Sequence, residues 1–296
     1  MDFKDFPVLC FQIYKGKLEN GTSVAIRSLA ISKKCSTQNL KVQLDLLSKL
    51  HHPHLVVLLG HCIECSGQDD SGGNRLFLVY EYISGGNYRT DLSENYPEKV
   101  LKWPDRLAIL IGVAKAVHFL HTGVIPGSFN NRLKTNNILL DEHRIPKLSD
   151  YGMSIITEET VKLEAKGEGP KSCCKNDLEG DVYNFGFILL ESLVGPRISG
   201  MGEAFVLNEM ASFGSQDGRR RIVDPIVLIT CSQESLSIVV SITKKCIFPE
   251  VSTHKSHYPL WYRSQRNAYF QKYQLVPLLK MCFGTCSMQL KSRPPV

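Results

Sequence analysis

Two groups of side chains in this chain of 296 residues have types and spacing that invite chemistry. Cys62 and Cys65 stand two residues apart, as paired thiolate ligands of zinc do, with His51, His52, His54 and His61 close by in sequence. A structural zinc site needs a second ligand pair at comparable spacing. None follows, and the same residues read as a helix-to-strand connection and a buried strand, so no zinc is expected. Cys173 with Cys174, and Cys282 with Cys286, are read the same way. The second group lies near the C-terminus, where Tyr258, Trp261, Tyr262, Tyr269, Phe270 and Tyr273 alternate with Arg263, Arg266 and Lys272. That mixture suits base stacking and phosphate contact with single-stranded nucleic acid. No folded nucleic-acid module accompanies it, and no nucleic-acid partner is expected.

The charge distribution supports this. The net charge is +6, but seven basic residues and one acid fall between Ile247 and Val296, so residues 1–246 are neutral and the excess belongs to one segment. A hydrophobic fraction of 43% is enough for a substantial core. Ten cysteines without regular spacing read as reduced, buried thiols rather than a disulfide framework. The first residues lack the apolar stretch of a signal peptide, and no run approaches the roughly 20 apolar residues of a membrane span. The expectation is a soluble, cytoplasmic chain.

The elements that would position functional groups follow from periodicity. Gln12–Lys17 and Ser23–Leu29 read as strands joined at Asn20-Gly21, which supplies the positive φ angles of a tight hairpin. Leu40, Leu44 and Leu47 recur at helical spacing, and that helix must stop before Pro53. Leu55–Leu59 and Leu76–Ile83 are apolar runs of strand length on either side of the polar, glycine-rich stretch 66–74. Leu107–Leu120 is apolar on all sides, as a helix buried inside a lobe would be, with Gly123 as its stop. Short strands are expected at Asn137–Leu140 and Ile145–Leu148, and a second apolar helix at Asp181–Val194. A small β-rich lobe, a linker near Ser84–Asn87 and a larger helical lobe result.

The order Val24-Ala25-Ile26-Arg27, LLSKLHHPHLVVLLGHC, LFLVYEYI, LKTNNILL, Ser149-Asp150-Tyr151-Gly152, DVYNFGFILLE resembles the protein-kinase domain from Gln12 to Cys246. GVAKAVHFLHTG and DVYNFGFILLE are most similar to plant leucine-rich-repeat receptor-like kinases of the inactive, pseudokinase type. The resemblance implies an α+β, bilobal kinase-like fold. Residues 1–11 would be a leader lacking the glycine-rich phosphate loop, 12–83 an incomplete N-lobe, 84–246 the C-lobe and 247–296 an aberrant basic tail.

Each kinase motif holds one part of a charged constellation, because phosphoryl transfer depends on positioning and charge neutralisation. Arg27 stands where the family has the strand-3 Lys, and Gln43 where the helix-C Glu would pair with it. Losing both halves avoids leaving one charge buried alone, which costs about 3–5 kcal/mol. In the catalytic loop, Asn130, Asn131 and Arg132 replace His-Arg-Asp, so a cation stands at the proton acceptor's place. Arginine cannot accept that proton, and a positioned base is worth about 10²–10⁴ in rate. No catalytic residue is therefore intact. Asn137 and Asp150 match the two Mg²⁺-holding positions and are read as a vestigial metal site. Ala25, Arg27, Tyr80 as gatekeeper, Glu81, Tyr82, Lys134 and Leu139 would line a vestigial nucleotide site. Asp181, which in the family ties the second apolar helix to the catalytic loop, is retained.

The interval from Asp150 to Asp181 contains no A-P-E stop, so the activation segment is expected to be short and degenerate. Read two bases out of frame, codons for Tyr273–Arg293 can encode STRPSVEDVLW(D/N)LQYAAQIQ, a family-like ending. Residues 247–272 are then read as intron-derived, and loss of the final helices predicts marginal stability with apolar surface open near the second apolar helix. The function expected is a pseudokinase-like signalling or docking domain that requires no cofactor and binds ATP/Mg weakly at most. The alternative is a weakly active ATP-dependent serine/threonine kinase. Expected partners are other signalling proteins or receptor kinases, and the resemblance implies the cytoplasmic side of the plasma membrane.

Overall fold

The computed structural model describes residues 12–31, 36–64, 74–93, 100–122, 131–153, 156, 177–199, 201 and 203–248. The leader 1–11, Cys65, the polar loop that follows it, Gly123, Asn130, the interval 157–176 and the tail from 249 lie outside the described residues.

The small lobe begins where Asn20-Gly21 reverses the chain. Gly21 adopts a φ of +82°, and the Thr22 amide donates to Asn20 Oδ1 at 3.0 Å. The turn lays β1 (Gln12–Lys17) antiparallel on β2 (Ser23–Ile31), with Lys17 opposite Ser23. Strands β3 (Leu58–Glu64) and β4 (Asn74–Glu81) complete an antiparallel sheet in the order β1-β2-β4-β3. Helix α1 (Thr37–Ser48), capped by Ser36, buries the expected Leu40, Leu44 and Leu47.

The third strand lies further along than the apolar run at 55–59 suggests. Leu55 and Val56 are buried because they cross to the other lobe rather than pair within the sheet. Leu55 bridges Leu148, the Val56 amide donates to Leu148 O at 3.0 Å, and the Leu148 amide to His54 O at 2.9 Å. The strand proper starts at Leu58, with an irregularity between Leu58 and Gly60.

Below the sheet, α2 (Tyr88–Leu92) and α3 (Trp103–Thr122) lead to a two-stranded ribbon, β5 (Ile138–Leu140) and β6 (Pro146–Leu148). Helix α3 is buried on nearly every side, as its sequence requires, and Gly112 allows it to approach β6: a Cβ there would lie 2.5 Å from Pro146 Cγ. Helix α4 (Asp177–Ser199) kinks at Gly195 (φ +71°), and α5 (Glu203–Glu209), α6 (Gln216–Ile222), α7 (Pro225–Thr230) and α8 (Gln233–Ile247) follow. Phe185, Ile188, Leu189, Leu190 and Leu193 of α4 are buried, and α8 packs along this helix. The apolar surface expected to lie open along it is therefore covered among the described residues. Large exposed apolar side chains sit instead at Phe205, Ile229 and Phe248.

Arg106 joins four segments of this lobe from within the core. It is 2% exposed, donating through Nε to Leu101 O (3.0 Å), through Nη1 to Ser192 O (2.8 Å) and through Nη2 to Asp224 Oδ2 (2.7 Å). Removing the guanidinium strands a carboxylate and two carbonyls. Arg106→Met is expected to lower unfolding free energy by about 3–5 kcal/mol, read by urea denaturation.

The lobe junction also contains two imidazoles. His54 Nδ1–H donates to Pro146 O (3.0 Å), while the His54 amide donates to His52 Nδ1 (3.2 Å), and the His52 ring stacks on Phe119. Burial holds both pKa values below the ordinary imidazole value, with Lys115 adding repulsion at each, the two rings opposing one another at His52, and Lys147 opposing a charge on His54. A base whose pKa falls on folding contributes full stability above the unfolded value, about 6.5, and loses it as pH drops below that. The urea midpoint is expected to fall between about pH 7 and pH 5.5, and less steeply in His52→Gln.

Candidate functional site

Two short turns carry the candidate site on the large-lobe side, and both hold non-glycine residues in the left-handed region. Arg132 has a φ of +48° and Asp150 of +63°. This conformation costs about 1–2 kcal/mol for an ordinary side chain and clusters at functional sites. Asn137, at the end of a 3₁₀ turn (Thr135–Asn137), fastens the first turn by donating Nδ2–H to Arg132 O at 2.8 Å. Its own carbonyl accepts from Ser149 N (2.8 Å) and Ser149 Oγ (3.0 Å), which joins the two turns.

Asp181 anchors the same region from α4. It is fully buried, and its oxygens accept from Asn131 N (2.9 Å), Asn131 Nδ2 (2.7 Å) and His121 Nε2 (2.9 Å). The catalytic-loop segment, α3 and α4 thus meet on one carboxylate. Asn131 and His121 were not singled out by sequence for this role; a buried aspartate on an apolar helix, needing donors, was the available signal.

The second turn faces α1. Gly152 has a φ of +68°, and a Cβ there would lie 2.4 Å from Leu47 Cδ2. Tyr151 is buried and donates its hydroxyl to Val56 O at 2.7 Å; burial pushes its pKa far above the usual phenol value.

Across the cleft, Arg27 reaches from β2 and forms an ion pair through Nη1 with Asp150 Oδ1. Arg27 is 7% exposed. Tyr80 lies beside both charges: burial drives its pKa well up, with Arg27 opposing the shift and Asp150 adding to it. Gln43 is half-buried on α1 and carries no charge, and the ion-pair partner of the guanidinium, Asp150, belongs to the large lobe.

The remaining predicted residues are dispersed or engaged elsewhere. Ala25 pairs with Tyr80 in the sheet, and Leu139 bridges Asn87, the N-cap of α2. Glu81 Oε1 accepts from Val57 N (2.9 Å) and from Lys147 Nζ (2.8 Å). The Tyr82 ring lies under Lys15 Nζ, 4.1 Å from its centroid, a cation–π contact between β1 and the inter-lobe connection. Lys134 is exposed. Lys15 and Lys147 went unremarked in the sequence, where nothing distinguishes them from other surface lysines.

A Mg²⁺ ion held by Asp150 and Asn137 does not fit this arrangement. A divalent ion beside the Arg27 guanidinium would be repelled by its like charge in a partly buried setting. Arg27 already neutralises the carboxylate the ion would need.

Residues 10–212 match the sequence family described as protein tyrosine and serine/threonine kinase. A probable inactive leucine-rich repeat receptor-like protein kinase of Arabidopsis thaliana is 43% identical over 246 residues, covering 81% of this chain and 30% of the relative. A probable leucine-rich-repeat receptor-like serine/threonine-protein kinase of the same plant is 39% identical over 242 residues, covering 80% and 32%. The chain spans about a third of the length of these relatives. Among solved structures, the pseudokinase domain of BIR2, an immune regulator of the RLK/Pelle family, superposes with a TM-score of 0.63 at 25% identity, covering 88% of this chain and 78% of that one. The pseudokinase DRIK1 shares the fold, with a TM-score of 0.57 at 20% identity, covering 98% of this chain and 91% of that one. The chain belongs to the protein tyrosine and serine/threonine kinase family.

Asp181 is the structural test of this region. Asp181→Ala leaves the Asn131 amide and side chain and the His121 ring without their buried acceptor, and is expected to destabilise the domain by about 3–5 kcal/mol in chemical denaturation.

Proposed function

We propose that this domain is a pseudokinase: a kinase-fold signalling module that works by docking other proteins and transfers little or no phosphate. The observation that carries the reading is Arg132. A guanidinium stands at the position from which a substrate hydroxyl would lose its proton, and it has no basic form near neutral pH. Among the described residues, two carboxylates tied to the same turns are already engaged. Asp181 is buried with its oxygens engaged by three donors, and Asp150 is ion-paired to Arg27. The likeness to an inactive receptor-like kinase and to the BIR2 pseudokinase domain supports the same conclusion.

The cleft is proposed to need no cofactor and to bind ATP weakly at most. Partners are proposed to be other signalling proteins, receptor kinases among them, at the cytoplasmic side of the plasma membrane; the receptor-like relatives support this. Among the described residues no helix is long and apolar enough to cross a membrane.

Full-length protein incubated with Mg-ATP and a generic protein substrate is expected to incorporate no phosphate above a heat-treated control. Incorporation that disappears in Asp150→Asn would overturn the reading in favour of a weak serine/threonine kinase.

A further inference from the structure

We propose that Arg27 is the built-in cation of this cleft, holding Asp150 in place of a divalent metal and so excluding Mg²⁺ and Mn²⁺ from the site. The inference goes beyond loss of phosphotransfer, which rests on Arg132 and would stand whether or not a metal binds.

Three observations converge on it. Arg27 and Asp150 come from different lobes, 123 positions apart, yet meet in an ion pair whose side chains are only 8% and 21% exposed. Solvent and salt screen such a pair far less than a surface one. Second, Gln43, where the family has the helix-C Glu, carries no charge to compete for the guanidinium, which pairs with the Asp150 carboxylate. Third, Asp150 is fixed by its backbone. Its left-handed φ, the close approach of Leu47 to Gly152 and the Tyr151 hydroxyl on Val56 O hold the turn that presents the carboxylate to Arg27.

The charge count then decides the occupant. Arg27 and Asp150 together are neutral, and the side chain left at the second metal position, Asn137, contributes only a neutral amide. Adding a divalent ion would create a net charge of two in a partly buried cleft, which is unfavourable unless the guanidinium leaves. Removing Arg27 reverses this, leaving an uncompensated carboxylate at Asp150 and the amide oxygen of Asn137 on the turn joined to it, both hard oxygen donors of the kind such ions take.

The test uses the full chain and Mn²⁺ alone, followed by electron paramagnetic resonance. Wild type is expected to show no Mn²⁺ site that depends on Asp150. Arg27→Met is expected to gain at least about tenfold in Mn²⁺ affinity, and the gain should vanish when Asp150→Asn is added. Arg27→Gln serves as the second variant should Arg27→Met fail to fold, as judged by circular dichroism. A wild-type Mn²⁺ site lost on Asp150→Asn would overturn the proposal, as would a folded Arg27 variant without the gain. Either result leaves the proton-acceptor argument at Arg132 untouched, and phosphotransfer by the wild type would overturn that argument alone.

Discussion

One ion pair, Arg27 with Asp150, sets the character of the cleft. It couples the centre of the small sheet to the turn that follows β6, and it does so with charges that cancel. A kinase cleft instead pairs its strand-3 Lys with the helix-C Glu and leaves its Asp for the metal, because electrostatic preorganisation is most of what it contributes to phosphoryl transfer. Here the cation at that strand position is paired with the Asp itself. Tyr80, half-buried at the edge of the core, lies within electrostatic reach of both partners.

The framework around that pair holds two turns in a conformation that ordinary side chains avoid. Arg132 and Asp150 still occupy left-handed backbone conformations, and Asn137 still fastens the first of them. Strain of this kind persists only where surrounding contacts over-determine it. In this chain those contacts come from Asp181, Ser149 and Leu47. The backbone of both turns is held from outside the ion pair, by residues of α4, of the second turn and of α1.

How much of this was legible in sequence depended on range. The hairpin at Asn20-Gly21, the leucine stripe of α1 and the apolar character of α3 are local signals, and each element formed where its residues required. The kinase-like fold followed from the order of segments. Arg27 was noticed for the partner it lacks on α1, whereas its actual partner lies 123 positions away and is revealed only by packing. Leu55–Leu59 misled because burial in that run has two causes: its first residues bury against β6, and only its end belongs to a strand. Arg106 and His121 escaped because buried polar groups carry no periodic signature; their importance comes from the acceptors that surround them.

The stitch between His54, Val56 and Leu148 has a mechanical consequence. In sequence the segment belongs with the small lobe, yet its backbone is bonded to the large one, so it serves as the fixed end from which the rest of the small lobe is carried. Any tilt of the sheet over the helices must pivot about this anchored segment instead of breaking its main-chain bonds.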